Sequence, residues 1–65
     1  MKLNWTEAST YWTASPDPIT NLYAGQQGVQ YYAIVSTPTT EVRVWADGLP
    51  QAMKFAETAY LELFS

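Results

Sequence analysis

A chain of 65 residues with no cysteine and no histidine must hold its fold together by packing alone. Disulfides are excluded, and the usual side chains of a structural zinc site are missing. A single hydrophobic core of this size supplies only about 3–5 kcal/mol of net stability. We therefore expect one domain over residues 1–65 that relies on large buried side chains and gains from association.

Aromatic side chains are the largest apolar groups that this composition offers for burial. Three tryptophans, five tyrosines and two phenylalanines are present, and each can bury roughly 150–250 Å². The net charge is only −3 and the hydrophobic fraction is 48%, whereas intrinsic disorder goes with high charge and low hydrophobicity. Three basic residues neutralise phosphates poorly, which argues against a nucleic-acid partner.

Alternation of apolar and polar side chains predicts a β-rich region over residues 1–46. The predicted strands cover residues 3–7, 10–14, 29–36 and 41–46. Prolines at 16 and 18 should end the second strand near Ala14, because proline lacks a backbone donor. Residues 19–25 could form a short strand or a covering loop, and residues 25–28 are predicted to form a turn.

The tail of the chain, from about residue 49 to 64, is predicted to be an amphipathic helix. Asp47 or Gly48 would cap its first turn, and Leu61 interrupts its polar face. The fold class that follows is α+β. We expect a mainly antiparallel sheet of three or four strands with one C-terminal helix packed on one face.

This element order resembles that of small phage and prophage accessory proteins, in which four strands precede one helix. The segments that carry the resemblance are Leu3-Asn4-Trp5, Tyr11-Trp12-Thr13-Ala14, Tyr31-Tyr32-Ala33-Ile34-Val35, Val42-Arg43-Val44-Trp45-Ala46 and Asp47-Gly48-Leu49-Pro50-Gln51-Ala52-Met53. Some phage proteins of this size block host enzymes or defence complexes, and anti-CRISPR proteins are among them. The resemblance implies a phage-encoded inhibitor that acts in the host cytoplasm.

The residue types that most enzymes use are scarce. Histidine and cysteine are absent, and no base stands beside any serine in the sequence. The carboxylates are scattered singly, without the spacing of a calcium loop. We expect a protein that is not an enzyme and carries no metal or cofactor. Because no apolar run approaches about 20 residues and no secretory segment is evident, we also expect a cytoplasmic protein without membrane association.

Two predicted strands point large side chains away from their aliphatic faces. Trp45 would lie with Arg43, and Tyr32 with Ile34. If these strands pair, the four side chains form one patch of residue types that are enriched in interface hot spots. Leu61 adds an apolar side chain on the helix. The predicted protein-binding residues are therefore Trp45, Arg43, Tyr32, Ile34 and Leu61.

Other interpretations of the same patch stay open. Residues 19–25 could cover it and turn it into a second small core. Its aromatic side chains could also stack single-stranded bases, as in RNA-recognition folds, although Arg43 is the one basic residue there. We expect a protein-interaction module, with a single-stranded nucleic-acid-binding protein as the alternative. A homodimer is expected because Leu61 and the uncovered sheet face both favour self-association.

Overall fold

The computed structural model describes residues 3–63 as one sheet and one helix. The elements are β1 Thr6–Glu7, β2 Tyr11–Asp17, β3 Thr20–Gln27, β4 Gln30–Ser36, β5 Glu41–Ala46 and α1 Leu49–Leu63. Each strand pairs antiparallel with the next, so the strand order in the sheet follows the chain. The α+β class is confirmed, but the sheet has five strands rather than three or four.

The additional strand is β3, which occupies the stretch that the sequence left ambiguous. The predicted turn over residues 25–28 is wrong, because pairing continues to Gln27 and only Gly28 and Val29 form the turn. Gly28 has φ of 65°, a left-handed conformation that glycine adopts without strain. Val29 is consequently 94% exposed, whereas it was predicted to begin the strand over residues 29–36.

Strand β2 is longer than its prolines suggested. It continues past Ala14 to Asp17, and the register shifts between these two residues. This irregularity admits Pro16, which cannot donate to a regular ladder. The Ile19 N–H then donates to Asp17 Oδ1 at 3.0 Å, closing a turn of the kind that aspartate favours. Strand β1 is shorter than predicted, with two residues.

Helix α1 lies over β3, β4 and β5 and is fastened by small side chains. Ala52 and Ala56 are fully buried, which lets the helix backbone approach the sheet closely. The sheet residues buried in the same cluster are Ala14, Leu22, Ala24, Ala33, Val35 and Ala46. The alternation in β5 predicts that Val42, Val44 and Ala46 face the helix; Ala46 lies in this cluster, Val44 packs against it, and Val42 lines a groove beside α1.

The start of α1 is set by two hydrogen bonds. The Ala52 N–H donates to the Gly48 carbonyl at 2.9 Å, so Gly48 is the cap residue rather than Asp47. Gln51 Oε1 accepts a hydrogen bond from the Asp47 N–H at 2.8 Å. In a capping box this side chain would bind the N–H of the cap residue, whereas here it binds the N–H of the residue before the cap. The helix ends at Leu63 among the described residues, and the predicted end at residue 64 lies outside them.

Two side-chain hydrogen bonds tie distant parts of the chain to α1. Trp5 Nε1 donates to Glu57 Oε2 at 3.1 Å, which fixes the segment before β1 on the helix. Tyr60 Oη donates to Asp17 Oδ2 at 3.0 Å, which joins the end of β2 to the last turns of α1. The second contact couples two titratable groups.

The Asp17–Tyr60 contact should make stability depend on pH at both extremes. Partial burial tends to raise the pKa of Asp17, but hydrogen bonds from the Ile19 N–H, from Thr20 and from the Tyr60 hydroxyl together outweigh it and lower that pKa. The bond to Asp17 raises the pKa of Tyr60, with burial and the carboxylate charge adding to it. Stability is therefore lost as pH falls through the lowered Asp17 pKa and as it rises through the raised Tyr60 pKa.

Thermal melting over a pH series should show both losses in the wild-type chain. In Tyr60→Phe the loss of stability at alkaline pH should disappear. The loss of stability at acid pH should become smaller but remain, because the Ile19 N–H still donates to the Asp17 carboxylate. In Asp17→Asn the pKa of Tyr60, followed by the ring signals in NMR, should fall toward the ordinary tyrosine value. An unchanged Tyr60 titration in Asp17→Asn would contradict this assignment.

Candidate functional site

One face of the sheet is turned away from α1, and no helix within residues 3–63 covers it. Strand alternation assigns to it every second side chain of β2 to β5. We call this surface the open face, and its central residues are Tyr11, Thr13, Tyr23, Gly25, Tyr32, Ile34, Arg43 and Trp45. The same alternation places Asn21, Gln27, Gln30, Ser36 and Glu41 at its margins.

The strand register aligns the open face into two rows that cross the sheet. In the first row Tyr11 lies opposite Gly25, Gly25 opposite Tyr32, and Tyr32 opposite Trp45. The second row consists of Thr13, Tyr23, Ile34 and Arg43. Directly opposed side chains on one face are within contact distance, so each row forms a continuous strip across four strands.

Gly25 makes room for the Tyr32 ring. A Cβ atom at position 25 would lie 2.7 Å from Tyr32 Oη and 2.9 Å from its Cζ. The tyrosine ring therefore lies over the backbone of β3, and Gly25 is buried although it belongs to the open face. A glycine inside a strand often marks such a close approach, and this signal would have found Gly25 had β3 been recognised as a strand.

A pair of tyrosines extends the aromatic surface to β2. The ring centroids of Tyr11 and Tyr23 are 5.7 Å apart at an interplanar angle of 72°. This edge-to-face arrangement is a favoured geometry for aromatic pairs. The sequence did not place either residue in the site, because their neighbourhood depends on the register between β2 and β3.

Four of the five predicted site residues come together on the open face. Trp45 is 46% exposed, Arg43 is exposed, and Tyr32 and Ile34 are half-buried. Leu61 is also 46% exposed but lies on α1, on the other side of the sheet. The alternative in which residues 19–25 cover the patch is wrong, because most of that stretch is β3 and lies within the sheet beside β4.

A cleft on this side of the sheet adds polar groups to the aromatic rows. It has a volume of about 250 Å³ and is lined by Gln26, Gln27, Tyr32, Ile34 and Arg43. Amide and guanidinium donors thus border an aromatic and an aliphatic side chain. A surface of this kind can bury apolar groups of a ligand while its rim forms hydrogen bonds.

Comparison of the chain with models of protein families, with curated proteins and with solved structures found no match. Within residues 3–63, no helix is long and apolar enough to cross a membrane. The same residues contain no group of three acidic side chains placed to hold a metal ion. The function must therefore be inferred from the chemistry of the surface itself.

Proposed function

We propose that this chain is a non-enzymatic protein-interaction module that binds a partner protein through its open face. The observation that carries the proposal is the pair of cross-strand rows, which place Trp45 and three tyrosines on one uncovered side of the sheet. Tryptophan, tyrosine and arginine are the residue types most enriched in interface hot spots. Rigid aromatic rings also contribute contact area at a low entropy cost.

The chemistry of the two rows supports binding rather than catalysis. Their side chains are aromatic, hydroxyl, aliphatic and, at Arg43, guanidinium groups. Neither row contains a carboxylate or an imidazole, the groups that most often act as general bases. Recognition of an apolar or hydrogen-bonding surface is what this set of groups does best.

A single-stranded nucleic acid is the second candidate ligand. It is favoured by the same geometry, since exposed aromatic rings on a sheet backed by a helix can stack bases. The charge distribution weighs against it, because Arg43 is the one basic residue in the two rows and the chain carries a net charge of −3. A protein partner is therefore the better match.

The resemblance to small phage proteins narrows the partner class within this proposal. A chain of that kind would bind a host enzyme or a component of a host defence complex and would block it by occupying its surface. Bacterial lysate is accordingly the source of partner to screen first.

Substituting Tyr32 should reduce partner capture at least tenfold, since the loss of a hot-spot aromatic typically costs about 2 kcal/mol or more. The comparison uses the immobilised chain, bacterial lysate and quantitative mass spectrometry of the bound proteins. Tyr32→Ala is paired with Leu61→Ala, which removes an exposed apolar side chain from the opposite side of the sheet. A partner that is lost with Leu61→Ala but retained with Tyr32→Ala would place the binding surface on α1 and overturn the proposal.

Oligonucleotide binding separates the two candidate ligands. Fluorescence anisotropy with a labelled single strand is measured at about 50 mM and 200 mM salt, because phosphate contacts weaken steeply over this range. The proposal expects no binding at either concentration. Salt-sensitive binding that disappears in Tyr32→Ala would identify the open face as a nucleic-acid surface instead.

A further inference from the structure

The two edges of the sheet are built differently. The edge at β2 is partly covered by the short β1, and the rest of it contains Pro16 and a shift in register. Prolines and bulges are devices that prevent an edge strand from pairing with another chain. The edge at β5 has six residues, no proline and no register shift against β4. It is the edge on which a further strand can add.

An apolar groove runs beside this edge on the helix side. It has a volume of about 310 Å³ and is lined by Val42, Val44, Phe55, Thr58, Ala59 and Glu62. Phe55 is 37% exposed there, which is unusual for a large aromatic residue on the sheet-facing half of a helix. A strand that added to β5, with a helix of its own on the same side, would cover this groove.

The charges on β5 indicate what kind of strand fits. Glu41 and Arg43 are exposed and share one side of the strand. If a second β5 pairs antiparallel about Val42, each Glu41 lies opposite Arg43 of the second copy, and both contacts join opposite charges. The paired segment is then residues 41–43 of each copy, because residues 37–40 form a turn before β5. Pairing about Arg43 would instead oppose two arginines, and pairing about Val44 would oppose Glu41 to Asp47. Opposite charges across a strand pair stabilise it, and like charges destabilise it.

We propose that β5 pairs with β5 of a second copy of this chain, antiparallel and centred on Val42. Directly opposed residues share a face, so both helices lie on one side of the joined sheet and both open faces on the other. The strand edge supplies backbone hydrogen bonds, and the groove beside Phe55 supplies apolar contact. This interface is formed by the outer edge of β5 and the groove beside Phe55. Arg43 belongs both to it and to the open face, but the proposal rests on self-association, which is measured without a partner protein.

Charge reversal at two positions tests the pairing. Glu41→Arg and Arg43→Glu each turn both contacts into like-charge pairs, so each variant alone should associate at least tenfold more weakly than the wild type. An equimolar mixture of the two variants restores opposite charges at every contact and should associate. The double variant with both substitutions should associate with itself. Light scattering and sedimentation velocity over a concentration series measure all four cases.

Three results would overturn the proposal. One is a wild-type chain that remains a monomer throughout the series, and another is a pair of single variants that associate as well as the wild type. The third is a mixture that stays monomeric. Loss of association in Trp45→Ala without any effect of the charge reversals would assign self-association to the open face. Because Glu41 and Arg43 are exposed, circular dichroism should show the same melting for all variants at a dilution where each is monomeric.

Discussion

Replacing Ala56 with aspartate should unfold the chain at room temperature. Ala56 has no exposed surface, and it belongs to a cluster whose buried members are all apolar. A carboxylate at this position would be desolvated without an opposite charge, which costs about 3–5 kcal/mol. That penalty is as large as the whole stability expected of a 65-residue domain without cross-links.

Thr58→Asp is the matched control, because it adds the same charge to the same helix at an exposed position. Thr58 also borders the groove beside β5, so the variants are compared at a dilution where the chain is monomeric. Far-ultraviolet circular dichroism and thermal melting should show a cooperative transition for Thr58→Asp and none for Ala56→Asp. Surface substitutions of this kind usually change stability by less than about 0.5 kcal/mol. If Ala56→Asp melts within a degree or two of the wild type, α1 is not packed on the sheet as described.

The parts of the fold that were predictable from sequence are those with one buried face. Strand β5 alternates valine with charged and aromatic residues, and α1 repeats its apolar residues at helical spacing. In both elements the residues that pack against the other element are apolar, so the spacing of apolar residues indicates which face is buried. This is why the alternation along β5 is enough to predict that Arg43 and Trp45 point away from the helix.

Strand β3 could not be predicted in the same way. It contains asparagine and glycine, which are poorly represented in strands. It is held by pairing with β2 on one side and with β4 on the other. Such support comes from residues distant in sequence and leaves little local signal. The part of the open face that depends on β3, namely Tyr23 and Gly25 and their contacts with Tyr11 and Tyr32, was missed for the same reason.

Replacing Trp45 with alanine should leave the chain folded and weaken partner binding by about 2 kcal/mol or more, which is roughly a 30-fold change in affinity. Trp45 stands at the end of the first aromatic row and is 46% exposed. Half-burial of a large apolar side chain contributes about 1–1.5 kcal/mol to folding. Truncating the fully buried Leu22 to alanine should cost more, about 2–5 kcal/mol, because a cavity remains in the core.

The melting temperature of Trp45→Ala decides the role of this side chain before any partner is identified. A decrease much smaller than that of Leu22→Ala means that Trp45 contributes mainly contact surface, so a later loss of binding can be attributed to the open face. If Trp45→Ala unfolds while Leu22→Ala stays folded, the tryptophan is a structural residue and the binding role fails. Because Trp45 and Leu61 are equally exposed, Leu61→Ala controls for the simple loss of an exposed apolar group. Binding that survives Trp45→Ala in a folded chain would likewise remove the open face as the partner site.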